Sequence, residues 1–114
     1  MSYKFRILGC GSSGGVPRVG FGWGNCDPMN KKNRRLRCSL LVQRTIESRK
    51  TTVLIDTGPD VREQLLQAKV TNLDAVLYTH SHADHVHGID DLRTLAYRKK
   101  GKISVWADKI TQER

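Results

Sequence analysis

Between Tyr78 and Val86 the chain runs His80-Ser81-His82-Ala83-Asp84-His85, directly after the apolar run Ala75-Val76-Leu77-Tyr78-Thr79. Three imidazoles and a carboxylate packed together gain no stability without a cation, because buried polar groups need partners. The fold must therefore offer a strand end on which such a cluster can be held. In extended backbone, residues two apart point the same way, so His80 and His82 can grip one metal from the same side. A turn into a following helix brings Asp84 and His85 to a second position, and two neighbouring metals become possible. Imidazole and carboxylate donors suit Zn, with Mn and Fe allowed by the same ligand chemistry. His87 lies beyond the motif and reads as a surface residue or a substrate contact rather than a ligand.

The rest of the chain alternates strands and helices. Tyr3, Phe5 and Ile7 alternate with Lys4 and Arg6, predicting a first strand over 3–8 with one buried and one wet face. Residues 9–33 are rich in Gly, Pro, Asn and Ser and form a long loop of the kind that is usually functional. Residues 38–43 and 51–55 predict two antiparallel strands joined by a polar connection, with Cys38 as a small buried hydrophobe. Thr57-Gly58-Pro59-Asp60 predicts a helix start, with Val61, Leu65, Leu66 and Ala68 on its inner face. Strands follow at 74–79 and 103–107, and between them Ile89, Leu92, Leu95 and Ala96 recur at helical spacing. Asp108 offers an N-cap to one more helix, which begins shortly before the chain ends at Arg114.

The 20 basic against 11 acidic side chains give a net charge of +9. The excess lies in residues 1–55, where Lys31, Lys32, Arg34, Arg35 and Arg37 fall within seven positions. Such a field attracts a phosphate-bearing small molecule, RNA or simple counterions. The glycine pattern from Gly9 to Gly14 matches a dinucleotide fingerprint, but Pro17 stands where the required helix should run, so nucleotide binding is rejected. A loop whose backbone N–H groups could line an anion pocket, or an ordinary turn, remains. Cys10, Cys26 and Cys38 form no disulfide framework, although Cys26 could ligate a metal with a partner from elsewhere. No apolar run approaches a membrane span and no signal-type stretch opens the chain, so a cytoplasmic protein with no membrane partner is expected.

With the H-x-H-x-D-H motif at a strand end, and Leu54-Ile55-Asp56-Thr57-Gly58 before it, the sequence resembles the metallo-β-lactamase superfamily. Its opening Gly9–Pro17, with Trp23-Gly24-Asn25-Cys26 and Arg37-Cys38-Ser39, is similar to the branch containing phosphoribosyl cyclic-phosphate phosphodiesterase and pyrroloquinoline quinone biosynthesis protein B. The resemblance implies an α+β fold: the N-terminal half of a four-layer αββα sandwich, a mixed sheet with flanking helices. It implies that Asp56 supports the metal site from behind a ligating histidine, the alternative being a helix cap. It also implies that His80, His82, Asp84 and His85 are the metal ligands, with Asp84 the candidate catalytic carboxylate. Two Zn sites are expected in a complete domain.

Residues 1–114 are expected to form a single incomplete domain, since each metal would have two protein ligands where a catalytic zinc has three. The resemblance implies a phosphodiesterase acting on a small anionic substrate through a metal-bridging hydroxide. Arg18 and the basic loop are candidates to neutralise that substrate. The alternatives are an RNA-processing nuclease of the same superfamily and a truncated, non-catalytic metal-binding module. Self-association through an uncovered sheet face is expected of this chain.

Overall fold

The computed structural model describes residues 1–114. Five strands form one mixed sheet in chain order: β1 (Ser2–Gly9), β2 (Ser39–Ile46), β3 (Arg49–Ile55), β4 (Ala75–Leu77) and β5 (Ser104–Trp106). The first three are antiparallel, and β4 and β5 add on parallel to β3. Parallel neighbours need long crossovers. The first carries α1 (Val61–Gln67); the second carries α2 (Ala83–Val86), a 3-10 turn at Ile89–Leu92 and α3 (Arg93–Lys99). The α4 turn (Lys109–Gln112) starts at Asp108, whose side chain accepts a hydrogen bond from Thr111 N at 2.8 Å. The fold is thus α+β, a mixed sheet with flanking helices. None of these helices is long and apolar enough to cross a membrane.

The β2–β3 hairpin is longer than its apolar runs. Arg44 pairs with Thr51 and Thr45 with Lys50, and Glu47 takes a positive φ of 56° in the tight connection. The apolar stretches mark only the part of each strand that lies over the core. In the glycine-rich loop no helix follows Gly14, and the bridges of Gly11 to Arg37 and Val16 to Arg35 tie it to the basic segment.

One sheet face is covered. Leu41, Leu54 and Val76 are register partners in one row across β2, β3 and β4, and all are buried. Val61 and Leu65 from α1, with Leu73 and Leu92, close over them. Burying side chains of this kind contributes roughly 1.5–3 kcal/mol each.

The opposite face is not covered, and here the structure corrects the sequence reading. Tyr3, Phe5 and Ile7, expected as the buried side of β1, are 55%, 66% and 71% exposed. Register places Ile7, Leu40, Ile55, Leu77 and Trp106 in one row and Phe5, Val42, Val53 and Ala75 in the next. No helix packs on these rows, so an apolar stripe faces solvent. Three smaller corrections follow from local geometry. Leu66 and Ile89 are exposed, and Gln64 takes an inward position on α1 instead, with its Nε2 donating to Arg37 O at 2.8 Å. Cys38 is exposed rather than buried, because the inward residue at the start of β2 is Ser39, whose Oγ donates to the Ile55 and Asp56 carbonyls.

Candidate metal centre

Parallel β3 and β4 end side by side, which is where such sheets place their functional loops. Asp56 ends β3 with its N–H donating to Leu77 O at 2.9 Å and its backbone at φ 67°. Asp is among the few non-glycine residues that tolerate this left-handed region. The twist turns its buried carboxylate across the end of β4. There Oδ1 accepts from Thr79 N at 2.8 Å, while Oδ2 accepts from Thr79 Oγ1 at 2.7 Å and from His85 Nδ1 at 2.7 Å. Asp56 is not a helix cap: the residue before α1 is Asp60.

The segment after β4 gathers the imidazoles. The His80 ring centroid lies 4.6 Å from that of His82, edge to face, and 4.1 Å from that of His85. His85 Nε2 lies 3.1 Å from Asp84 Oδ2. With Nδ1 of His85 donating to Asp56, its Nε2 faces a carboxylate oxygen that only accepts. Two such atoms approach this closely only with a proton or a cation between them. Two donors sharing a tetrahedral zinc stand about 3.3 Å apart for bonds of about 2.0 Å, so the pair fits a metal edge. The donors fit zinc in chemistry but not in number. No group of three or more His, Cys, Asp or Glu side chains is placed to hold an ion, and a catalytic zinc takes three protein ligands.

Two glycines fix the loops against each other. Thr57 N donates to His85 O at 2.8 Å and Gly88 N to Thr57 O at 2.9 Å, joining the Asp56 loop to α2. A Cβ on Gly58 would strike the Asp84 carbonyl, and one on Gly88 the Gly58 carbonyl. Beneath them Tyr78 OH and Thr57 Oγ1 lie 2.6 Å apart. Burial raises the Tyr78 phenol above its ordinary pKa, the Thr57 bond opposes the rise, and the negative charge of Asp56 adds to it.

This arrangement agrees with sequence comparison: residues 51–114 match the beta-lactamase superfamily domain. The chain belongs to that family. A protein of Porphyromonas gingivalis (strain ATCC BAA-308 / W83) named octanoyltransferase is 43% identical over 102 residues, or 90% of this chain and 20% of that protein. A ribonuclease Z of Clostridium kluyveri (strain ATCC 8527 / DSM 555 / NBRC 12016 / NCIMB 10680 / K1) is 29% identical over 86 residues, or 75% of this chain and 22% of that protein. Among solved structures, a diphosphatase from the PhnP family superposes with a TM-score of 0.82 at 37% identity, over 98% of this chain and 44% of that one. The chain therefore spans about a fifth of these curated relatives and under half of that structure.

The remaining candidates make no hydrogen bond to the side chains of His80, His82 or His85. Arg18 is exposed, with its guanidinium 5.0 Å from the Phe21 ring centroid and its N–H donating to Gly22 O. His87 caps the C-terminal end of α2 in solvent. Cys10, Cys26 and Cys38 are free and exposed. Of the basic segment, Arg37 is fastened to Asp60, its Nε at 2.7 Å and its Nη2 at 3.1 Å from the carboxylate. Lys31, Arg34 and Arg35 line an open cleft of about 800 Å³ with Cys10, Asp60 and Glu63, and no histidine borders it. The residue that the sequence reading missed is Thr79. Its neighbour in the motif is obvious, but its bond to a carboxylate 23 positions earlier leaves no local trace.

Proposed function

We propose that the chain carries the metal-ligating half of a hydrolase acting on small anionic phosphodiesters. The observation that carries this reading is the convergence of His85 Nε2 on Asp84 Oδ2 at 3.1 Å, with the far side of the ring held by Asp56. His80 and His82 would hold one zinc and Asp84 and His85 the other, with Mn or Fe chemically acceptable. Such cations supply an activated water and stabilise negative charge at phosphorus. The chain's own part is to keep the donors aimed: Asp56 fixes His85, and the glycine-tight contact of the two loops keeps α2 in place. Asp84, as a donor at the reacting position, is the candidate catalytic carboxylate. The basic half of the chain, Arg18 included, favours an anionic substrate. The likeness to a diphosphatase at 37% identity favours phosphate esters over other hydrolysable groups. Because the donor set is incomplete, the reading concerns the metal-loaded protein with its remaining ligands supplied.

A second reading, an RNA-processing nuclease, is favoured by the ribonuclease Z relative together with the cationic Lys31–Arg35 stretch. The octanoyltransferase relative adds acyl esters to the substrates to be compared. Free thiols at three exposed positions suit a reducing, cytoplasmic setting. The uncovered sheet face is proposed as a self-association surface, with a second copy of this chain as its occupant.

The test offers the full-length, zinc-loaded protein an aryl phosphodiester, a structured RNA and an aryl octanoate. Hydrolysis of the phosphodiester, abolished in His82→Ala, is expected. Inertness toward the phosphodiester with turnover of either other substrate would overturn the assignment. RNA binding that does not weaken with added salt would remove the nuclease reading.

A further inference from the structure

One carboxylate faces two histidines here and reaches them by different routes. The contact with His85 is direct, from Nδ1 to Asp56 Oδ2 at 2.7 Å. The route to His80 passes through Thr79. The Thr79 hydroxyl donates to Asp56 Oδ2 at 2.7 Å and lies 2.9 Å from His80 Nδ1, while its backbone N–H, bonded to Oδ1 at 2.8 Å, holds the residue in place.

Proton counting gives this chain a direction. A hydroxyl has one hydrogen and a carboxylate only accepts, so the Thr79 hydrogen is committed to Asp56. Toward His80 the same oxygen can then only accept, and His80 Nδ1 must carry the proton. In the neutral ring the His80 lone pair is then left on Nε2. We propose that Thr79 is a positioning residue, a relay through which Asp56 fixes the tautomer and ring orientation of His80. One carboxylate thereby presents a matching Nε2 donor to each of the two cation positions. What those donors are for rests on the metal-centre reading above; the proton arrangement rests on the hydrogen bonds alone.

Thr79 is itself exposed, so an isosteric replacement is tolerated sterically. The test compares wild type with Thr79→Val, Thr79→Ser and Asp56→Asn as the 114-residue chain. Long-range 15N–1H correlation of the histidine rings is recorded without metal at about pH 8, where an ordinary imidazole is neutral. Zinc affinity is then measured by competition with a chromophoric chelator. In wild type His80 should show the Nδ1–H form, and His85 should carry a proton on the Nδ1 that faces Asp56. Thr79→Val should move His80 toward the Nε2–H form and leave His85 as it was; Thr79→Ser should restore His80; Asp56→Asn should disturb both rings. Zinc affinity should fall about 10–100-fold in Thr79→Val and recover in Thr79→Ser, the range seen when a partner behind a ligand is lost.

An unchanged His80 tautomer in Thr79→Val, or an equal disturbance of His85, would overturn the relay. If zinc is bound with wild-type affinity as well, the metal-centre reading survives that failure. A His80 shift in a chain that retains no zinc would still support the relay, because the proton arrangement does not depend on the metal-centre reading. Should Thr79→Val fail to fold, wild type and Thr79→Ser decide alone: a His80 in the Nε2–H form in either one refutes the relay.

Discussion

Phe5 lies on the edge strand at one end of the uncovered apolar stripe, and replacing it with Lys should dissociate a self-associating chain. The residue is 66% exposed. A phenylalanine of about 200 Å² then offers about 130 Å² for burial, worth roughly 3 kcal/mol at about 25 cal/mol per Å². A twofold interface uses the position twice. If only half of that area is covered, the loss is still about 3 kcal/mol, which is about a hundredfold in the dissociation constant. Together the exposed parts of Tyr3, Phe5, Ile7, Leu77 and Trp106 come to about 600 Å². With the half-buried Leu40, Val42, Val53 and Ile55 they approach the roughly 800 Å² per partner of a stable interface. This match to a self-complementary area is the reason for naming a second copy as the occupant. Phe5→Lys should cost the monomer little, because an exposed edge-strand position is usually within about 0.5 kcal/mol on substitution. Sedimentation velocity over a concentration series reads the result, with Val19→Lys, at 92% exposure in the loop and off the stripe, as control. A monomeric wild type at all concentrations, or equal association of Phe5→Lys and wild type, would refute the reasoning.

Two further perturbations test the loop contact behind the site and the last helix cap. Gly88→Ala should lower stability by about 1–3 kcal/mol in urea unfolding, since the added Cβ meets the Gly58 carbonyl and Val61 Cγ1. Because Gly88 has φ −85°, which alanine adopts freely, an unchanged midpoint would show that the two loops separate at no cost. At the other end of the chain, the Thr111 side chain and backbone N–H hold the Asp108 carboxyl below its ordinary pKa. A depressed folded value means that its stabilisation is present above the unfolded value and fades as pH falls through the folded one. Carboxyl 13C titration should find Asp108 below the usual Asp value, and Thr111→Val should bring it back part of the way; coincidence with the ordinary value would contradict the cap.

The sequence signals were strongest where chemistry and backbone period coincide. The presence of five strands, the antiparallel hairpin and the Asp108 cap all follow from short-range patterns, and so does the place of the H-x-H-x-D-H segment directly after β4. Burial was less legible. Alternation in β1 shows that Tyr3, Phe5 and Ile7 share a face, but a period of two says nothing about whether another layer covers it. On α1 the helical period could not favour Gln64 over Leu66, because the deciding contact is the Arg37 carbonyl on another element. Thr79 belongs to the same class. Its importance comes from Asp56 turning back at φ 67°, a tertiary fact that no window on the motif contains.

The two incomplete features of the molecule adjoin each other. Ile55 immediately precedes Asp56, Leu77 stands three residues before His80, and both lie in the exposed row that ends at Trp106. Any layer that covers this row comes up against the same sheet edge from which the histidines project. Burying the apolar face and supplying a third donor to each cation position are then parts of a single packing problem, and whatever satisfies the first is brought next to the second. If a second copy covers the stripe as proposed, the binding energy gained there would offset the cost of ordering additional ligands, and the proposed association and metal uptake would be coupled through one surface.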